Sequence, residues 1–252
     1  MADPYIQENG TLKNKLGIED YTDLNNAEKN ITFTRFLNIS TTFRTKFDVE
    51  YFKSIHKHIF EDIFDWAGEF RTVPIYKTEL VVPGISLNYA PVKQIEPQLQ
   101  TVLDEMNNID WNSLPTLDQK ASTFTKCLTK IWAIHPFRDG NTRATLTFAN
   151  QYSKEHGFPI DLGGLLDKLP RKVTPSGQVL QYSIRDLFVL AALPEDSYPE
   201  PEHLTAIMKQ AMQKGIEQHI EILQNNLNCD NPTEKEQNLQ NQISTEDDTL
   251  EL

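Results

Sequence analysis

Cysteine is scarce in this sequence: Cys127 and Cys229 stand far apart, one on a helical pattern and one in a polar tail. No disulfide framework is expected, and a reducing compartment suits the chain. Long apolar runs are missing too, and Met1-Ala2-Asp3-Pro4-Tyr5 lacks a basic region followed by an apolar stretch. A bilayer span and a secretory leader are therefore not expected, which leaves a cytoplasmic protein with no membrane partner. Basic residues are outnumbered, 24 Lys and Arg against 36 Asp and Glu, for a formal net charge of −12. That charge opposes sequence-independent phosphate binding over the whole surface, so nucleic acid is not expected as a partner.

What is present is enough for one sizeable core: 252 residues with 38% hydrophobic and 10% aromatic content. Such a chain folds without disulfides or structural metals. Residues 1–20 read as a polar lead-in whose second half, with Leu12, Leu16 and Ile18, lies against the body. Leu24, Ala27, Ile31 and Phe36 then mark a helix, with Thr22 or Asp23 available to cap it. Val49, Phe52, Ile55, Ile59 and Ile63 mark another, capped by Asp48. His56 and His58 ride on this second helix, but two residues apart they point in different directions and cannot share a metal. They read as helical partners or surface residues.

From Phe70 to Tyr89 the texture changes. Val73, Ile75 and Tyr76, then Leu80, Val81 and Val82, separated by Lys77-Thr78-Glu79, read as a small β-hairpin whose regularity Pro74 and Pro83 limit. Its edge could capture an extended segment of a partner, or the segment could simply connect helices. Helical stripes follow: Ile95, Leu99, Val102 and Met106; then Leu117, Ala121, Phe124, Leu128 and Ile131; then Thr142 to His156, closed by Gly157-Phe158-Pro159. Residues 158–180 read as irregular, Tyr182 to Leu193 as a short helix, and Leu204 to Leu223 as a long amphipathic one. The helical domain is set at 21–224, and residues 225–252 are expected to be a disordered acidic tail. Seven or eight helices and one hairpin make the fold class all-α.

Between two of the helical stripes lies His135-Pro136-Phe137-Arg138-Asp139-Gly140-Asn141-Thr142-Arg143. A helix starting near Asn141 leaves the amides of Gly140, Asn141 and Thr142 without intrahelical partners, and the helix dipole adds positive potential there. That is an anion site. Gly140 permits close backbone approach, Arg143 can fork onto phosphate oxygens, and Asp139 is a hard oxygen ligand suited to a magnesium ion carried by a nucleotide. His135 can take a proton from an attacking hydroxyl. These are the parts that phosphoryl or nucleotidyl transfer needs.

The stretch resembles the active-site motif of Fic-domain proteins, H-x-F-x-[D/E]-G-N-G-R-x-x-R, with Thr142 at the last glycine and Leu146 at the second arginine. The resemblance extends to Asn14-Lys15-Leu16-Gly17-Ile18, to Ile55-His56 and to Trp66-Ala67-Gly68-Glu69-Phe70-Arg71-Thr72, and runs to about Leu193. It implies a Fic-like helical bundle with one small β-hairpin flap. It also implies a protein adenylyltransferase that moves AMP from ATP, as co-substrate with Mg2+, to a Tyr, Thr or Ser hydroxyl of a target protein. By resemblance His135 is the base, Phe137 packs inward to fix the loop, and Asp139 holds magnesium. Gly140, Asn141, Thr142 and Arg143 bind phosphates, and Tyr76, Lys77 and Thr78 form the flap that docks the target. Leu146 keeps open γ-phosphate transfer as in the Doc branch, and a non-catalytic nucleotide- or protein-binding module is the third reading. Many family members are restrained by a helix bearing [S/T]-x-x-x-E-[G/N]. No such motif is found in this chain, so restraint is expected from a separate small, antitoxin-like protein.

Overall fold

A computed structural model describes residues 3–39, 46–77, 79, 81–82, 87–163, 169–173, 177 and 179–229. Seven α-helices carry the fold: α1 (Tyr21–Leu37), α2 (Val49–Phe60), α3 (Ile95–Asn107), α4 (Leu117–Ile134), α5 (Asn141–Glu155), α6 (Ile184–Ala191) and α7 (Glu202–Cys229). The all-α class follows from the sequence pattern as expected. The caps explain most of the helix starts. Asp48 accepts a hydrogen bond from the Tyr51 amide at 2.9 Å, and Thr116 and Gln119 form a reciprocal capping box at α4. At α1 the cap is Asp20, which accepts from the Asp23 amide, and not Thr22 or Asp23.

Helix α4 is the centre of the core. Ala121, Phe124, Leu128, Ile131 and Trp132 on it are fully buried, and α3, α5, α6 and α7 all pack against it. Helix α2 lies across α5 and places Phe52, Ile55 and Ile59 inward. Helices α4 and α5 hold the loop between them from both ends, because each is fixed by a face of buried side chains. Near the N-terminus Tyr5 is buried, its hydroxyl accepts from the Thr72 amide at 3.1 Å, and its ring meets Trp66 edge-on. The lead-in is thereby tied to the segment that follows α2.

Two readings need correction. Among the described residues 70–82 contain no paired strand. Ile75 and Val81 are buried there on irregular chain, with Pro74 interrupting any ladder. The hairpin lies instead at β1 (Arg171–Val173) and β2 (Val179–Gln181), antiparallel with Lys172 opposite Leu180, within the stretch read as irregular. Second, α7 runs on to Cys229 and takes in the first residues of the expected tail. No proline or glycine stops the helix there, although Asn225, Asn226 and Asn228 are weak helix formers. Residues 230–252, like Thr78 of the expected flap, lie outside the described residues. No helix among those described is long and apolar enough to cross a membrane.

Candidate active site

Helix α4 ends on His135, whose backbone is left-handed with φ 51° and ψ 59°. A non-glycine residue there costs roughly 1–2 kcal/mol, so the surroundings must hold it. Arg71 does so. It is buried, its Nε donates to the His135 carbonyl at 2.8 Å, and its amide donates to the Pro136 carbonyl at 2.8 Å. Its guanidinium also donates to the carbonyls of Val73, Ala90 and Ile134. One cation thus ties the start of the loop to the segment between α2 and α3.

The middle of the loop rests on a histidine. The Gly68 amide donates to His56 Nδ1 at 2.9 Å, so Nε2 carries the proton and donates to the Asp139 carbonyl at 3.0 Å. The ring lies against Phe137 at 3.8 Å between centroids. Burial lowers the His56 pKa to about 3, so it stays neutral and both nitrogens remain in use. His56 is therefore neither a surface residue nor an ordinary helical partner but the prop beneath the motif.

Phe137 is fully buried and stacks on Phe52. Asn141 braces the turn: its Oδ1 accepts from the Phe137 amide and its Nδ2 donates to the Phe137 carbonyl, both at 2.9 Å. Its side chain is thereby occupied, and what it offers an anion is its backbone amide. Gly140, with φ 76°, caps α5 without a side-chain bond, so the first-turn amides are left for a ligand. A Cβ on Gly140 would overlap the Phe60 ring. Thr142 does not fill the anion site with its hydroxyl, because the Trp132 indole donates to Thr142 Oγ1 at 2.9 Å and draws it aside. Leu146 packs against the core.

Lys77, His135, Asp139, Gly140, Asn141, Thr142, Arg143 and Arg185 line one small cavity of about 180 Å³. The His135 ring is 2% exposed and stacks on Tyr89 at 4.0 Å. Its Nδ1 lies 3.3 Å from the Trp132 carbonyl, which can only accept, so the proton sits on Nδ1 and the lone pair on Nε2. Burial, reinforced by the nearby Lys77 cation, holds the His135 pKa well below 6.5. The imidazole is neutral. Burial likewise lowers Lys77, against the pull of Asp139. Asp139 Oδ1 accepts from the Gly140 amide. Among the described residues no cluster of three His, Cys, Asp or Glu could hold a metal unaided. Asp139 is a hard oxygen donor of the kind a magnesium ion takes, set among the cations Lys77, Arg143 and Arg185.

Sequence reading missed three residues that shape this site. Glu28 of α1 is buried and paired with Arg143, and Arg143 also sits over the Phe60 ring. Arg71 enters the sequence reading as part of the resemblance alone, with nothing to mark its hold on His135 and Pro136. Arg185 of α6 reaches the cavity from more than 40 positions after the motif, and no local pattern announces it. Of the flap residues, Tyr76 is 84% exposed and Lys77 faces the cavity.

Residues 46–153 match the sequence profile of the Fic/DOC family. The protein adenylyltransferase VbhT of Bartonella schoenbuchensis is 31% identical over 161 residues, 63% of this chain and 32% of that protein. The chain thus spans about a third of that relative's length. The probable protein adenylyltransferase Fic of Escherichia coli is 24% identical over 176 residues, 69% of this chain and 84% of its own. Among solved structures, the Fic domain of a VirB-translocated effector from Bartonella quintana, with bound ADP, has a TM-score of 0.64 at 22% identity and covers 82% of this chain and 93% of its own. BepC from Bartonella tribocorum with bound AMPPNP has a TM-score of 0.61 at 21% identity, covering 82% and 95%. At those identities the likeness is one of fold.

Proposed function

We propose, from the premise that this chain carries a domain of the Fic/DOC family, that it is a protein adenylyltransferase. The observation that carries the reading is the meeting, at one cavity, of a neutral histidine, the free amides at the start of α5 and Arg143. The relatives named as protein adenylyltransferases support it.

In this reading a target Tyr, Thr or Ser hydroxyl is guided in beside Tyr76 and Lys77. His135 Nε2 accepts the hydroxyl proton, and the oxygen attacks the α-phosphorus of ATP. The bond to the β-phosphate oxygen breaks, pyrophosphate leaves, and the target carries AMP. The amides of Asn141 and Thr142 and the Arg143 guanidinium hold the phosphate oxygens, Gly140 gives them room by lacking a Cβ while its own amide stays with Asp139, and Phe137 keeps the loop from moving. Asp139 would hold Mg2+, which supplies charge neutralisation at the phosphates. Cytoplasmic action on a protein, without nucleic acid, completes the proposal.

A cavity of about 180 Å³ is below the roughly 300–1,000 Å³ of typical ligand sites. A second cavity of about 620 Å³ adjoins it through Arg143 and Arg185 and is lined by Phe33, Phe36, Ile59 and Ile184. Phosphates fit the first and an aromatic base suits the second. One feature favours γ-phosphate transfer as a second reading: α5 contains a single arginine, with Leu146 packed against the core. Incubation with α-labelled and, separately, γ-labelled ATP and candidate proteins tests both. Label from the α position on a target supports AMP transfer, label from γ alone overturns it in favour of phosphotransfer, and neither leaves a binding module.

A further inference from the structure

Two arginines stand on the wall between the two cavities, Arg143 from α5 and Arg185 from α6. Each is engaged by a buried carboxylate from another part of the chain. Arg143 is held by Glu28, whose side chain is 8% exposed, and Arg185 by Glu79, whose side chain is 1% exposed. The second pair is bidentate, with Arg185 Nη1 to Glu79 Oε2 at 2.6 Å and Nη2 to Glu79 Oε1 at 2.7 Å. The Tyr89 hydroxyl donates to the same carboxylate at 3.2 Å, and the Tyr89 ring is the one stacked on His135.

A triphosphate brings several negative charges to a site where α5 itself offers one arginine. Arg185 already lines that site, and its planar fork matches phosphate as well as carboxylate. The Arg185 side chain keeps 34% of its surface exposed, so it is not sealed in place as Glu79 is. We propose that Arg185 is a second phosphate-binding cation of this site, and that Glu79 holds it until nucleotide phosphates take the carboxylate's place. The exchange is one of hydrogen-bond partners, with no covalent step. The same carboxylate holds the Tyr89 hydroxyl, so the Glu79–Arg185 pair also steadies the ring that covers His135. The proposal rests on the reading that the loop binds a nucleoside triphosphate.

The test is titration calorimetry of the full chain with Mg2+ and AMPPNP, using wild type, Glu79→Gln, Arg143→Ala and the double variant Arg185→Met/Glu79→Gln. The double variant removes the cation without leaving a buried carboxylate unpaired. Opposite signs are expected. Glu79→Gln tightens AMPPNP several-fold by freeing Arg185, whereas the double variant weakens it about tenfold to a hundredfold relative to Glu79→Gln. A purely structural pair predicts no tightening in Glu79→Gln, and that result overturns the proposal. So does equal affinity of the double variant and Glu79→Gln while Arg143→Ala still weakens binding, an outcome that leaves the triphosphate reading standing. Absence of AMPPNP binding in both wild type and Glu79→Gln removes the triphosphate reading and this inference together.

Discussion

Glu28 of α1 is ion-paired with Arg143 of α5, 115 positions along the chain. The pair places a carboxylate where a phosphate oxygen is proposed to sit, so the described form carries its own anion in the site. The contact comes from α1, within the chain. Burial pushes the Glu28 carboxyl up, against the pull of Arg143 and with the nearby Asp139 adding to the rise. The carboxylate is thus held there at a desolvation cost that its pairing with Arg143 offsets.

Glu28→Gln should tighten AMPPNP binding by about tenfold, because an incoming phosphate no longer competes with a charged partner for Arg143. Calorimetry with Mg2+ and AMPPNP measures it. Unchanged or weaker binding would show that the pair serves α1 packing alone.

His135→Ala should lower label transfer from α-labelled ATP by about 10²- to 10⁴-fold and leave AMPPNP affinity within a few-fold. The wild-type pH profile gives a second check. Because the folded pKa of His135 lies well below 6.5, the ring stays a base as pH falls through 6.5, and the acid-side decline of kcat/KM should begin well below that value. A decline centred at the ordinary histidine value would mean that the ring is not enclosed as described.

Acid should destabilise the fold through His56. Its pKa is near 3 when folded against 6.5 ordinarily, so the unfolded chain takes up a proton that the folded chain refuses. The stability it supports is full above about pH 6.5 and is lost as pH falls toward 3, at up to about 1.4 kcal/mol per pH unit. His56→Phe should flatten that part of the stability curve. It should also cost about 2–4 kcal/mol at neutral pH, because the Gly68 amide and the Asp139 carbonyl lose their partner. Urea unfolding as a function of pH reads both effects.

Gly140→Ala combines a left-handed backbone with a Cβ that overlaps the Phe60 ring. A loss of about 2–4 kcal/mol is expected from backbone strain and overpacking together. Thermal unfolding should show it as a lowered Tm, and a Tm equal to wild type would refute this placement of the loop on α2.

The amino-acid sequence by itself determined what is local. Apolar spacing laid out the helices, Asp48 and Thr116 could start two of them by reaching their own next turns, and the order of residues from His135 to Arg143 put a base, a carboxylate and free helix amides within nine positions. Strand pairing was less legible. Val73, Ile75 and Tyr76 have the composition of a strand, but a strand needs a partner, and the burial of Ile75 in the body decided otherwise.

The tertiary structure alone decided which distant residues complete the site. His56 meets the Asp139 carbonyl across 83 positions, Glu79 meets Arg185 across 106, and Glu28 meets Arg143 across 115. None of these spacings leaves a periodic trace, because each contact depends on how α1, α2 and α6 pack around α4 and α5. Side chains on separate helices acquire neighbours when the apolar faces beneath them interlock, and that interlocking is a property of the whole core.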